Sequence, residues 1–273
     1  MSAGAPTPEV EVRFDGALLR LRLNRPEKRN AVTGPMLQAM QAALLEADAR
    51  NEVRAALLTA EGEHFCGGWD FVAASEGADG RGAGRPRAGH IHRHLLAGPG
   101  PFIETLAGVQ LPIVVAARGS VAAFGLSIAL ACDFVVASET ARFSSPFVRR
   151  GFTPDTALTF HLPRIIGLAR ARRLLLLGEE IPAQTAEAWG LVHACVPDAG
   201  LEAAAEELAA ELAGGASVAI GLAKWLVNRN LDADLGGALA AEAFAEEVSL
   251  RSRDFREGLA AFREKRKPRY SGW

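Results

Sequence analysis

The sequence predicts an α/β fold of stacked turns, in which short strands and helices alternate and glycine turns recur. Short apolar runs of strand length alternate with segments whose apolar residues recur at helical spacing. Two of the apolar runs lead into glycine-containing turns, and the chain beyond residue 200 shows helical patterning only. The chain has 273 residues, of which 49% are hydrophobic, which suffices for one large domain with a helical appendage.

The first part of the chain predicts a hairpin, a helix and a buried strand. Residues 10–14 and 18–23 are strand-like and flank an Asp-Gly turn. Apolar residues at helical spacing predict a helix over 34–50, and the apolar run 55–60 predicts a buried strand. Residues 75–89 are rich in Gly, Ala and Arg, which predicts a mobile surface loop.

The remaining elements follow from the same patterns. A helix is predicted over 90–107 with a break at 98–101, then strands at 112–117 and 134–137 around a helix near 125–131. Helices are predicted at 155–166, 169–177 and 183–189, with a short strand at 191–192. From residue 201 the pattern is helical, with breaks at 214–215 and near 228–230.

Composition argues against several classes of protein. The formal net charge of -2 gives no electrostatic reason to bind nucleic acid or an anionic membrane. The 3 cysteines lack metal-ligand spacing, which indicates reduced thiols in the cytoplasm. We expect no signal peptide and no membrane span, because no suitably long uncharged apolar run is present. His90, His92 and His94 alternate in a predicted helix, where they would not share one face, so no metal site is predicted.

Two glycine turns carry the first functional signal. Residues 64–71 follow the strand at 55–60, and residues 119–125 follow the strand at 112–117. Glycines let the backbone turn sharply and approach a ligand closely. The helix that begins after the second turn leaves unpaired N–H groups at its positive end. Two such donors aimed at one oxygen would form an oxyanion hole, which suits chemistry on an acyl group.

Further motifs match a known family in order and over nearly the whole chain. The matching segments are 23–31 (LNRPEKRNA), 65–70 (FCGGWD), 119–133, 167–178, 183–192 and 256–268. With these segments the chain resembles the crotonase superfamily of enoyl-CoA hydratases and isomerases. The resemblance implies a spiral of β–β–α turns over 1–200 that holds the CoA and acyl site. It also implies a C-terminal helical region over 201–273 for trimerisation and CoA contact. The expected ligand is a coenzyme A thioester substrate, with no permanently bound cofactor, in a homotrimer or a hexamer built from two trimers.

The resemblance assigns the oxyanion donors to the backbone N–H groups of Trp69 and Phe124. The family usually has a small residue and a glycine there, so the two aromatic rings should reshape the acyl pocket; alternatively, both rings are core residues. The implied CoA contacts are Lys28, Arg29, Ala31, Gly67, Gly68, Asp70, Phe71 and Lys265. Cations suit the CoA phosphates; the competing interpretation is a solvated charged turn for Lys28 and Arg29 and a solvated surface group for Lys265.

The catalytic prediction centres on Asp155. The two glutamates with which a typical hydratase handles water correspond to Ser127 and Phe147, so hydration in its usual form is not expected. Some isomerases of the family carry their single acid–base aspartate at the position of Asp155. One carboxylate suffices for isomerisation, because it removes a proton and returns it to another carbon while the oxyanion hole holds the dienolate. Neighbouring phenylalanines would desolvate the carboxylate and raise its pKa. A competing role for Asp155 is to cap the following helix.

Other functions stay open beside double-bond isomerisation in fatty acid metabolism. One is an enoyl-CoA hydratase with non-standard acids. A second rests on the run 155–160 (DTALTF) and on the aromatic residue Trp69, with which the chain also resembles the 4-chlorobenzoyl-CoA dehalogenases. In such a hydrolase Asp155 would attack the aromatic ring. That enzyme needs a histidine base near the position of Gly100, where His94 is the nearest histidine. A third is an acyl-CoA-binding protein that has lost catalysis.

Overall fold

A computed structural model describes residues 8–70 and 88–273. Its strands are β1 (Val10–Asp15), β2 (Leu18–Leu23), β3 (Ala55–Ala60), β4 (Ile113–Ala117), β5 (Ser120–Ala122), β6 (Phe134–Ser138), β7 (Arg142–Ser144), β8 (Glu180–Pro182) and β9 (Ala194–Val196). Its helices are α1 (Gly34–Asp48), α2 (His90–Ala97), α3 (Pro99–Gly108), α4 (Phe124–Ala131), α5 (Leu158–Leu177), α6 (Ala183–Ala188), α7 (Leu201–Gly214), α8 (Ser217–Asn230), α9 (Leu235–Ser249) and α10 (Arg253–Glu264). The predicted loop at 75–89 lies almost entirely outside the described residues.

The main sheet has the strand order β1-β2-β3-β4-β6-β9. The first two strands form the predicted antiparallel hairpin, and all other neighbours in this sheet are parallel. Successive side chains of β3 point to opposite faces, as the period of a strand requires. Leu58 joins a core with α1, α3 and α4, whereas Leu57 packs with Leu201 and Ala205 of α7. Because both faces are covered, β3 and β4 could be almost entirely apolar.

A second sheet, β5-β7-β8, adjoins the first glycine turn. The N–H of Cys66 donates to the carbonyl of Ser120, and the N–H of Ala122 donates to the carbonyl of Cys66. The turn is therefore joined to the edge of β5. The sequence patterns missed this sheet because each of its strands has only 3 residues, too few to show alternation. The short strand predicted at 191–192 was also wrong, since β9 occupies 194–196.

Helices α8, α9 and α10 follow α7 at the C-terminal end. The Lys224 ammonium of α8 is buried, and it donates to the Asp133 carboxylate at 2.8 Å and to the carbonyls of Leu106 and Leu111. This buried ion pair joins the C-terminal helices to the sheet. In residues 8–70 and 88–273, no single helix is long and apolar enough to cross a membrane; one pair, 198–214 with 217–230, is long enough only when combined across a 108° bend.

Candidate active site

The first glycine turn presents the backbone of Trp69 toward a cleft. Trp69 and Val32 form a parallel bridge in which Val32 N–H donates to Gly68 O and Asp70 N–H donates to Val32 O. In such a bridge the N–H of Trp69 points away from Val32. Across the described residues this N–H donates to no protein acceptor. Gly68 has a φ of 117°, which a residue with a side chain rarely adopts.

The second turn presents the N–H of Phe124. Phe124 is the first residue of α4, so its N–H has no acceptor within the helix. The preceding residue, Ala123, has a φ of 51° and donates its own N–H to Ser144 O. A Cβ added to Gly68 would lie 3.1 Å from the Ala123 Cβ and 3.7 Å from the Phe124 nitrogen. The two turns are therefore in contact, and their candidate donors belong to one small region.

Burial keeps the Cys66 thiol of the first turn neutral. The side chain is fully buried, and this desolvation raises the pKa of Cys66 to about 12. Its sulfur accepts the Gly68 N–H at 3.4 Å. Cys66 therefore shapes the turn, and its high pKa argues against a nucleophilic role.

The loop after β2 lies against this turn. The carbonyl of Arg29 accepts the N–H of Gly67 at 2.8 Å. The Arg25 guanidinium donates to Ala31 O and pairs with the Asp70 carboxylate at 3.0 Å. The predicted CoA residues Lys28, Arg29, Ala31, Gly67, Gly68 and Asp70 thus form one structural unit.

The two remaining predicted CoA residues lie elsewhere. Lys265 is exposed at the C-terminal end of α10, where it adopts a φ of 54° and caps the helix through its backbone. Within the described chain no hydrogen bond or ion pair links its side chain to the Lys28 loop. Phe71 lies outside the described residues.

The Asp155 carboxylate is half-buried beside α4. Burial raises its pKa, and hydrogen bonds from the Thr156 hydroxyl and from its own backbone N–H act in the opposite direction. Thr156 Oγ1 lies 3.1 Å from Asp155 Oδ1 and 2.6 Å from Ser127 Oγ. Asp155 does not cap α5, because the N-cap residue is Ala157 and no side chain caps that helix.

The phenylalanines near Asp155 in the sequence have separate contacts. Phe147 is buried and packs edge-on against Phe152, with 5.2 Å between ring centroids. The Phe160 ring lies 3.7 Å beneath the Arg164 guanidinium. Phe147, which corresponds to the second hydratase glutamate, is therefore a buried apolar side chain.

An aromatic group surrounds the candidate donors. Phe124 is buried, and its ring lies 5.9 Å from the half-buried Trp69 ring. The exposed His94 of α2 lies edge-on to Trp69 at 5.3 Å. Phe124 is therefore a core residue, whereas Trp69 is placed between the core and His94.

Comparison with known proteins agrees with this architecture. The family model described as Enoyl-CoA hydratase/isomerase matches residues 13–272. The chain belongs to the enoyl-CoA hydratase/isomerase family. It is 36% identical to a "probable enoyl-CoA hydratase" of Rhodobacter capsulatus, over 96% of this chain and 98% of that protein. It is 32% identical to a 1,2-epoxyphenylacetyl-CoA isomerase of Escherichia coli, over 93% of this chain and 95% of that protein.

The fold of this family member is equally clear. The crystal structure of an enoyl-CoA hydratase from Bacillus anthracis superimposes with a TM-score of 0.89 at 30% identity, covering 97% of this chain and 100% of that chain. The predicted crotonase fold with a C-terminal helical region is thereby confirmed. The relatives support an enzyme of the crotonase family.

Three residues of this enoyl-CoA hydratase/isomerase family member were not singled out from the sequence. Arg25 and the buried Asn30 hold the loop after β2, since Asn30 Nδ2 donates to the carbonyls of Glu61 and His64. Thr156 joins Asp155 to Ser127. Arg25 and Asn30 lie within the matched segment 23–31, which is the signal that could have found them.

Proposed function

We propose that this enzyme moves the double bond of an enoyl-CoA thioester, with Asp155 as its single acid–base group. The observation that carries the proposal is the position of the Asp155 carboxylate. It is half-buried, has a raised pKa and is hydrogen-bonded through Thr156 to Ser127 of α4, the helix that begins at Phe124. The Escherichia coli relative is named as a 1,2-epoxyphenylacetyl-CoA isomerase, which supports isomerisation of a CoA thioester in general and not the movement of a double bond in particular.

The proposed reaction uses three groups of the chain. The N–H groups of Trp69 and Phe124 hold the thioester oxygen. Asp155 removes a proton from C2 of a 3-enoyl-CoA, and the C–H electron pair enters a dienolate whose charge rests on that oxygen. The carbonyl then re-forms, the double bond moves to C2–C3, and Asp155 returns the proton to C4. A raised pKa suits a group that must both accept and return a proton.

The side chains at the two glutamate positions of hydratases disfavour water addition. Ser127 has a hydroxyl that is engaged with Thr156, and Phe147 is a buried apolar side chain. Neither can deliver water as a carboxylate does. A hydratase with other acids would differ from the proposed enzyme by forming a 3-hydroxyacyl-CoA from a 2-enoyl-CoA.

The test is the nearly isosteric variant Asp155→Asn. We expect conversion of 3-enoyl-CoA to 2-enoyl-CoA and exchange of the C2 proton with D₂O both to fall by about 10²–10⁴-fold, the usual contribution of an acid–base group. The control is Asp232→Asn, which removes an exposed carboxylate that pairs with Arg164. Unchanged rates in Asp155→Asn would refute the proposal. Binding of acyl-CoA without turnover by the native protein would favour the binding protein instead.

CoA recognition and assembly are part of the same proposal. The exposed Lys28 and Arg29 would contact CoA phosphates, and Lys265 would supply a further cation.

A homotrimer or hexamer is supported by large apolar side chains exposed on α9 and α10, such as Phe244 (62% exposed) and Phe262 (82% exposed). Light scattering of the purified protein tests the assembly, and a monomer would contradict it.

A second candidate function is supported by the position of His94. Its ring lies 5.3 Å from the Trp69 ring, so a histidine packs against the side chain of the residue whose backbone N–H is a candidate oxyanion donor. In this alternative Asp155 attacks the ring carbon of a 4-halobenzoyl-CoA, halide leaves, and His94 activates water that cleaves the aryl ester. Halide release that is lost in Asp155→Asn, with ester accumulating in His94→Ala, would favour this function over isomerisation.

A further inference from the structure

Two hydroxyl groups connect the candidate base to the peptide that carries a candidate oxyanion donor. Ser127 Oγ lies 2.6 Å from Thr156 Oγ1, and Thr156 Oγ1 lies 3.1 Å from Asp155 Oδ1. At its other end Ser127 Oγ lies 3.4 Å from Ala123 O. The Ala123 carbonyl and the Phe124 N–H belong to one peptide group. A continuous line of contacts therefore joins the Asp155 carboxylate to that peptide.

The direction of these hydrogen bonds depends on the charge of Asp155. An ionised carboxylate only accepts hydrogen bonds, so Thr156 donates to Asp155 and Ser127 donates to Thr156. A protonated Asp155 can donate to Thr156, Thr156 then donates to Ser127, and Ser127 donates to the Ala123 carbonyl. Each hydroxyl has one proton and rotates, so no proton leaves Asp155 along the line.

We propose that Ser127 and Thr156 form a hydroxyl relay that couples the protonation of Asp155 to the donor strength of the Phe124 N–H. This inference rests on the proposed isomerase function. When Asp155 has taken the substrate proton, the thioester oxygen carries the charge of the dienolate. At that moment Ser127 donates to the Ala123 carbonyl, and a donor at a peptide carbonyl polarises the N–H of the same peptide group. The oxyanion hole is then strongest in the intermediate.

The backbone at both ends of the relay is unusual. Thr156 and Ala157 have φ values of 49° and 69°, and Ala123 has a φ of 51°. Such conformations are unfavourable in residues with side chains, and they cluster at functional sites. Here they place the Thr156 hydroxyl against the fully buried Ser127 and begin α4 at the candidate donor.

Among residues 8–70 and 88–273, the elements that carry or adjoin the relay hold few titratable groups. Helix α4, which carries Ser127, has no titratable side chain. On α5 the nearest are His161, whose pKa is lowered by burial and by the Arg164 charge, and Arg164, which pairs with Asp232. The turn before Asp155 carries Arg149 and Arg150, and Arg149 donates to the Leu177 carbonyl. His161 could also titrate at acidic pH, so the test includes a variant of it.

Thr156→Val removes the hydroxyl while keeping the branched shape. We expect the acid limb of kcat/KM to move to higher pH by about one unit, because the carboxylate loses a hydrogen bond. Thr156→Ser keeps the hydroxyl and should restore the native profile. His161→Gln should leave the acid limb of kcat/KM at the same pH as in the native protein. A native-like pH profile in Thr156→Val would overturn the relay.

Ser127→Ala tests the other half of the relay. We expect kcat to fall about tenfold with KM unchanged, because only the charged intermediate uses the strengthened donor. The double variant Ser127→Ala/Thr156→Val should be no slower than the slower single variant. Additive losses would overturn the relay. If Asp155→Asn is inactive but the Thr156 and Ser127 variants do not behave as expected, the relay alone is wrong. If Asp155→Asn is active, the proposed function is wrong.

Discussion

Gly125 lies directly against Cys66, so that a Cβ on Gly125 would stand 2.5 Å from the Cys66 carbonyl oxygen. The same Cβ would lie 2.6 Å from the Cys66 Cβ. The second residue of α4 thus packs on the first glycine turn without an intervening side chain. This contact holds the first glycine turn, which carries Trp69, against the start of α4, which carries Phe124.

The first prediction follows from this contact. Gly125→Ala should lower the free energy of unfolding by roughly 1–3 kcal/mol, because the added methyl group overpacks a buried site. It should also lower kcat more than it raises KM, because the donors move apart. Urea unfolding and steady-state kinetics measure the two effects.

The matched control is Gly108→Ala, at the last residue of α3. A Cβ there would meet nothing within 4 Å. This substitution should be neutral or stabilise the fold by up to about 1 kcal/mol, since alanine favours the helix. Equal effects of the two substitutions would contradict the importance of the Cys66 contact.

The second prediction concerns stability at Asp155, the proposed acid–base group. Burial raises the pKa of Asp155 in the folded state above its value in the unfolded chain. The folded state therefore favours the neutral acid, and stability is lost as the pH rises through the folded pKa. Asp155→Asn removes that cost, so it should be as stable as the native protein or more stable at neutral pH.

Thermal unfolding measured against pH checks this sign. The advantage of Asp155→Asn should disappear below the ordinary pKa of an aspartate, where both states of the native protein are protonated. The exposed Asp232→Asn should show no such pattern. If Asp155→Asn is less stable than the native protein by the same amount at neutral and at acidic pH, Asp155 is instead a structural hydrogen-bond acceptor.

The sequence misplaced β9, which has only 3 residues, but it predicted the other strands of the main sheet. It predicted β3, β4 and β6 because they lie inside the sheet and are almost wholly apolar, and it predicted the β1–β2 hairpin from the Asp-Gly turn between two strand-like runs. It also pointed to Asp155 and Ser127 as candidate site residues, since Ser127 lies within the matched segment 119–133 and Asp155 lies between that segment and 167–178. It did not identify Thr156 as their link. Nothing in the segment Pro154-Asp155-Thr156 signals that Thr156 adopts a left-handed conformation, and the contact with Ser127 joins positions 29 residues apart. Contacts of this kind depend on packing rather than on local pattern.

The third prediction concerns acyl selectivity at Trp69. Its backbone N–H survives substitution, while its half-buried ring contacts both Phe124 and His94. Trp69→Ala should therefore keep turnover but shift kcat/KM toward bulkier acyl groups, by roughly tenfold or more relative to short ones. A panel of acyl-CoA thioesters measures the ratio. Trp69→Phe keeps an aromatic ring and should shift the ratio less; a native ratio in Trp69→Ala would show that the ring does not line the acyl pocket.

The last prediction separates the two cationic positions proposed for CoA. Lys28 is exposed on the loop held by Arg25 and Asn30, next to the first glycine turn, whereas Lys265 ends α10. Lys28→Ala should raise KM with little change in kcat, because a contact to the CoA phosphates is the same in the ground and transition states. The rise should shrink as the salt concentration increases, since exposed charges are screened.

Lys265→Ala should show the same signature, and Lys267→Ala, an exposed lysine two positions further on, is its control. In the described residues of the single chain, the Lys265 side chain makes no hydrogen bond or ion pair to the Lys28 loop, so we expect its contribution to depend on the proposed assembly. Dilution that dissociates the proposed oligomer should therefore raise the KM of the native protein and remove the difference between native protein and Lys265→Ala. If Lys265→Ala and Lys267→Ala have equal KM values in the assembled protein, Lys265 is a solvated surface charge, and CoA is held by the loop after β2 and the first glycine turn.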